Sequence, residues 1–242
     1  MKSRTIVSIL LAVVAAALAY LMYNSIHSSV KFNDEYEVRR EASADKLKAI
    51  RTLEEAYKST YGHYTGSFDT LFNRLLNEDS MRVVSKQIIR EAIPADVDIN
   101  EVPENEAVKK GYIKRVEIFV NPVEKLRQDS ALMITDAQTG RPRFLTDQEI
   151  RDLRYVPYPK GSKEEFELYA SKLDKSGFQV PVFLCQASFD VLLKDLQDKY
   201  GDLIMRKKAD LDERTKANPS NPQYAGWKVG DTLQAITDGN FE

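Results

Sequence analysis

Four aromatic residues, Tyr57, Tyr61, Tyr64 and Phe68, fall within "AYKSTYGHYTGSFDTL", together with His63. Tyr57 and Tyr61 are four apart and share one helical face, with Tyr64 and Phe68 just beyond a turn. Such rings could form a stacking platform for a sugar or for peptidoglycan, because tyrosine joins an apolar face to a polar tip. The same spacing also suits rings that cap the domain core, and the apolar stripe that precedes them needs partners. These four are the candidate ligand- or partner-binding residues.

The other reactive residue types lead less far. His27 sits near an apolar segment and His63 in a turn, so neither histidine has a second histidine close by to share a metal. In "ADVDINEVPENEA", Asp96, Asp98 and Asn100 match the first three oxygen positions of a calcium loop. The sixth position, where the sharp turn needs glycine, is Glu101, and the twelfth, where a bidentate glutamate belongs, is Ala107. The single cysteine, Cys185, has the apolar strand neighbours of a small buried hydrophobe rather than an activated thiolate. No G-x-S-x-G, phosphate-binding or dinucleotide-binding motif occurs. The expectation is therefore a non-enzymatic protein with no cofactor and no metal.

The N-terminus sets the expected address. "MKSRTIVSILLAVVAAALAYLMYNSI" has a short basic start followed by an uncharged apolar run. Residues 6–26 are predicted to span a membrane, with Ile6, Leu10, Leu11, Val14, Leu18 and Leu21 as anchor residues. Tyr20 and Tyr23 suit an interfacial aromatic belt. Lys2 and Arg4 favour residues 1–5 on the cytoplasmic side, hence an inner-membrane protein with its C-terminal domain in the periplasm. Ala17-Leu18-Ala19 offers the alternative of signal-peptide cleavage near Ala19 and release into the periplasm. Removing Lys2 and Arg4 from 35 basic residues leaves 33 against 37 acidic, a net of −4. That balance gives no basic footprint for nucleic acid.

Beyond the membrane segment, no proline or glycine interrupts the chain until Gly62. Apolar residues at 47, 50, 53 and 57 form a helical stripe. It thins to Phe32, Tyr36, Val38 and Ala42 nearer the membrane, which predicts an amphipathic stalk helix over 27–62 stopped by Gly62. A periplasmic α+β domain is expected over 63–217, with short helices and a small antiparallel sheet. "FDTLFNRLLNED" reads as a helix capped near Ser67 or Asp69, and "MRVVSKQIIREAI" is ambiguous between helix and strand. "ENEAVKKGYI" reads as a helix ending at Gly111, "IKRVEIFV" as a strand, and "NPVEKLRQ" as a helix. "LTDQEIRDL" carries a capping box from Thr146 to Glu149. "EFELYASKLDKSGFQVPVF" reads as a β-hairpin, with Pro181 placing its second strand towards a sheet edge. "FDVLLKDLQDKYGDLI" reads as one amphipathic helix with Leu192, Leu193 and Leu196 on one side. "MRKKADLDERTK" reads as a solvated helix face. Residues 218–242 are expected to be a turn-rich tail without a core element.

Two resemblances join these features. The apolar helix, its amphipathic extension and "AYKSTYGHYTGSFDTL" resemble the N-terminal part of type IV pilins and pseudopilins over about residues 6–72. The chain lacks the Gly-Phe processing site before the apolar run and the glutamate near its start, so prepilin processing is not implied. More broadly, "SVKFNDEYEVRREASADKLKAIRTLEEAYKSTYGHYTGSFDTL", "VPVF" and "WKVGDTLQAITDGNFE" resemble a family of uncharacterised single-span envelope proteins from the Bacteroidetes. That resemblance implies an address and no catalytic residues. The expected function is a structural or assembly component of the cell envelope, in a secretion- or pilus-like machinery. Its partners would be the inner membrane, proteins of an envelope complex and copies of itself. The alternative is a peptidoglycan-binding module that uses the tyrosine cluster.

Overall fold

The structure is a computed structural model that describes residues 2–94, 97–135 and 139–241. The side chains of residues 2–7, 9, 10, 24, 25 and 135 lie outside that description. The fold is mixed α and β, with a long N-terminal helix, small antiparallel sheets and short helices.

Helix α1 runs unbroken from Lys2 to Tyr61. Good helix formers and the absence of Pro and Gly sustain it. It ends where expected, at Gly62, whose φ of 78° reverses the chain while its N–H bonds Lys58 O at 2.8 Å. The inner face is longer than the apolar stripe alone suggests. Phe32, Tyr36, Arg39, Ser43, Leu47, Ile50, Glu54 and Tyr57, at steps of three and four, are all buried. The domain thus closes around α1 from Phe32 onward, and the segment read as a stalk is the central strut of the core.

Helix α2 (Phe68–Asn77) starts at Ser67, whose hydroxyl accepts from Thr70 N, and buries Phe68, Leu71, Phe72 and Leu75. The ambiguous segment is strand β1 (Met81–Ile88). It pairs antiparallel with β2 (Ile113–Val120), from Met81 opposite Val120 to Ile88 opposite Ile113. Between them lies the short α3 (Glu104–Lys109). Helix α4 (Pro122–Gln128) is capped by Asn121, and β3 (Met133–Thr135) pairs with β4 (Pro142–Phe144). Helix α5 (Asp147–Arg151) carries the capping box of Thr146 and Glu149. There Arg143 first, then the Thr146 backbone N–H, hold the Glu149 carboxyl down to about 2.

The main sheet has the order β5-β6-β7, with β5 at Glu167–Lys175 and β6 at Phe178–Ser188. The two join through Ser176 and Gly177, both at positive φ, as the twist of a two-residue hairpin demands. The third strand, β7 (Gly226–Gly230), corrects the expectation of a coreless tail. Trp227 and Val229 are buried, and the flanking glycines permit their approach. A Cβ on Gly226 would lie 2.2 Å from Ala187 O, and one on Gly230 2.3 Å from Phe183 O.

Because β7 docks along β6, the strand holding Pro181 is central rather than at an edge. Pairing with β7 begins only at Leu184, so the missing N–H of Pro181 removes no bond on that side. The expected single helix after β6 is also divided. It comprises α6 (Phe189–Leu192), a 3-10 turn at Lys194–Leu196 and α7 (Gln197–Ala217). A kink at Tyr200 falls beside Gly201, where a helix interior is weakest. Leu192, Leu193 and Leu196 are nonetheless all buried.

Candidate functional site

The tyrosine-rich turn is mostly interior. Tyr57, Tyr64 and Phe68 are 2%, 7% and 6% exposed, so their ring faces are covered by the core. Tyr64 packs on Phe183 at 4.7 Å and Phe68 stacks on Phe72 at 5.6 Å. Tyr61 is half-buried, with its ring 4.5 Å from Tyr57 and its hydroxyl shared between Glu78 and Ser80. His63 is exposed and its Nδ1 lies 3.0 Å from Tyr61 O.

Among the described residues, no group of three His, Cys, Asp or Glu side chains could hold a metal ion. Asp98 instead accepts from the backbone and side chain of Asn100, closing a local turn, while Asp96 lies outside the described residues. Cys185 is fully buried on β6, and burial first, with the nearby Glu54 carboxyl second, pushes its thiol up. Along α1, Leu11, Val14, Leu18 and Leu21 are exposed, with Ile6 and Leu10 among the side chains left out. This is one helix long and apolar enough to cross a membrane.

Sequence reading missed the buried polar members of the inner face of α1. Extending the 57, 53, 50, 47 stripe backwards through its polar positions would have reached Glu54, Ser43 and Arg39. Glu54 Oε2 accepts from Thr65 N at 3.1 Å, and its Oε1 has no partner among the described residues. Burial pushes this carboxyl up to about 8, against the smaller opposing effect of the Thr65 hydrogen bond. That shift favours the protonated carboxyl at neutral pH.

Arg39 forms the second polar cluster. Its Nη1 bonds Glu35 Oε2 at 2.6 Å and its Nη2 bonds Asp195 Oδ2 at 2.6 Å. The guanidinium lies 4.6 Å from the Tyr158 ring centroid. This arrangement forms the inner wall of a cleft of about 960 Å³. Helix α1 contributes Lys31, Asp34, Glu35 and Val38 to the lining. The loop after α5 supplies Tyr158, Pro159 and Lys160, and the start of α7 supplies Lys199 and Tyr200. A second hollow of about 430 Å³ adjoins it, lined by Ser28 and Ser29 of α1 and by Asp198, Lys199, Asp202 and Arg206 of α7. Lys199 borders both. Behind the cleft, an aromatic cluster fixes α1 to α7 and to the sheet: Phe32 lies 5.6 Å from Tyr200 of α7, and Tyr36 lies 5.4 Å from Trp227 of β7. Lys207 caps the Tyr36 ring at 3.5 Å.

The cleft has charged donors and acceptors and aromatic walls. Its lining holds no serine, cysteine or histidine to act as a nucleophile with a base beside it. It offers charged groups of both signs beside two tyrosine rings. Comparisons with family models, curated proteins and solved structures return no match to this chain.

Proposed function

We propose that this chain is a single-pass inner-membrane protein. Its domain stands on the periplasmic face as a structural or assembly component of the cell envelope, in a secretion- or pilus-like machinery. The observation that carries this reading is the continuity of α1. One 60-residue helix has an exposed apolar first part and then becomes the strut around which the domain core is built. Any tilt or rotation of the membrane segment is thereby transmitted to the domain, because no hinge separates them. This suits a part that must hold a fixed orientation beside its neighbours. The basic start without acids supports an inside N-terminus. The embedding of the tyrosine-rich turn supports its use as a cap on the core.

Three measurements test the reading. The full chain should resist alkaline extraction from membranes, and its domain should be digested by protease added to spheroplasts but not to intact cells. Crosslinking in intact cells should then recover the chain with itself or with a protein partner. Release at alkaline pH would defeat the membrane reading, and recovery of monomer alone would defeat the assembly reading.

A further inference from the structure

On the membrane reading above, the Arg39 cleft lies at a definite height above the bilayer, and its charges are unevenly committed. Residues 6–26 rise about 31 Å as a helix, which matches a hydrocarbon core of about 30 Å. The headgroup layer adds about 5–7 Å on each side, a distance that α1 covers between His27 and Lys31. Lys31 is the α1 lining residue nearest the membrane, and the adjoining hollow reaches further down, to Ser28 and Ser29. The two hollows share Lys199, so a polar path leads from the headgroup layer to the cleft; its lower part sets Lys199 and Arg206 beside Asp198 and Asp202, and the excess of basic groups lies in the cleft itself.

Within the cleft, Glu35 and Asp195 are taken up by Arg39. Lys31, Lys160 and Lys199 have no ion-pair partner among the described residues, and Asp34 is the one lining acid also left over. Within the cleft the uncommitted charge is thus positive, and Lys31 stands at the depth where lipid phosphates lie. Arg39 cannot swing away to neutralise other groups, because two carboxylates and the Tyr158 ring hold it.

We propose that this cleft binds the phosphate of an anionic phospholipid headgroup, held by Lys31, Lys160 and Lys199. The binding rests on the membrane reading above and goes beyond it by naming a ligand class. A lipid seated there would fix the domain against the bilayer.

The test uses the full chain in nonionic detergent, with equimolar phosphatidylglycerol and phosphatidylcholine added, read by native mass spectrometry. Phosphatidylglycerol should be retained in preference. The double substitution Lys31→Gln/Lys199→Gln should weaken its retention about 30-fold, taking two near-surface charges at their usual worth. Retention of phosphatidylcholine should not change. Lys160→Gln alone, on an exposed loop, gives an independent reading and should weaken phosphatidylglycerol about fivefold. Lys172→Gln/Lys175→Gln on the distant hairpin should leave both lipids unaffected. Equal retention of the two lipids, or unchanged retention in the cleft variants, would overturn the proposal. Displacement of phosphatidylglycerol by millimolar inorganic phosphate, with equal thermal stabilisation by phosphate alone, would reassign the cleft to free phosphate. Alkaline release from membranes would sink the membrane reading itself, whereas membrane retention without lipid preference would sink only the cleft.

Discussion

Arg39 Nη2 donates to Asp195 Oδ2 at 2.6 Å, joining α1 to the turn before α7 across 156 positions of sequence. The Arg39 side chain is 4% exposed and that of Asp195 is 40%. The pair therefore sits at the boundary between core and water, and its partners differ in what they lose when it is broken. Truncating Arg39 removes two ionic bonds and the stack on Tyr158, but it leaves carboxylates that water can reach. Arg39→Met should destabilise by about 2–3 kcal/mol, below the range for fully buried pairs. Asp195→Asn should cost about 1 kcal/mol. Thermal unfolding of the single and double variants in mild detergent checks this, and the double variant should fall short of the sum.

Glu54 makes stability depend on pH in an unusual direction for a carboxylate. Its folded value of about 8 lies above the ordinary 4.5. Between those values the folded chain keeps a proton that the unfolded chain has lost. Stability from this group is therefore full below about pH 4.5 and declines as pH rises through 8. The loss is on the order of a few kcal/mol. Melting measured from pH 5 to 9 should show this decline in the natural chain and a flatter profile in Glu54→Gln. Parallel profiles would show that Glu54 is ionised in the folded state.

The closing strand depends on two glycines for reasons of space. Gly230 has φ 75°, and a Cβ there would meet the Phe183 carbonyl, which is backbone and cannot swing aside. Gly230→Ala should cost about 3 kcal/mol or more, from conformation and overlap together. Gly62 also has positive φ but open space around a Cβ, so Gly62→Ala should cost only about 1–2 kcal/mol. Trp227 fluorescence during denaturation should separate the two, with a red-shifted native spectrum only in the Gly230 variant.

Tyr57 and Tyr61 lie on one face of α1 but should behave differently. Tyr57→Ala empties a buried site and should cost about 3–5 kcal/mol. Tyr61→Phe removes only a hydroxyl bonded to Glu78 and Ser80, worth about 1 kcal/mol. Calorimetry of each variant would expose the difference. A large loss of peptidoglycan pull-down in Tyr61→Phe without a stability change would instead favour a glycan role for the turn.

The sequence by itself determined the features that depend on neighbours in the chain. The apolar run sets the membrane-length helix, and Gly62 sets its end. Ser67 and Thr146 mark helix starts through side chains that reach only three residues ahead. Ser176-Gly177 sets the hairpin because its backbone must adopt positive φ. The tertiary structure decided what depends on residues far apart. β1 became a strand because β2 lies alongside it, and five residues near the C-terminus became β7 because β6 offered an open edge and two glycines allowed contact. Arg39 and Glu54 look like ordinary helix-surface charges in the sequence. They are buried because the domain folds back over α1 well before its apolar stripe thickens. The cleft belongs to this second class, since its lysines come from α1, a loop and α7, and only packing brings them to one place.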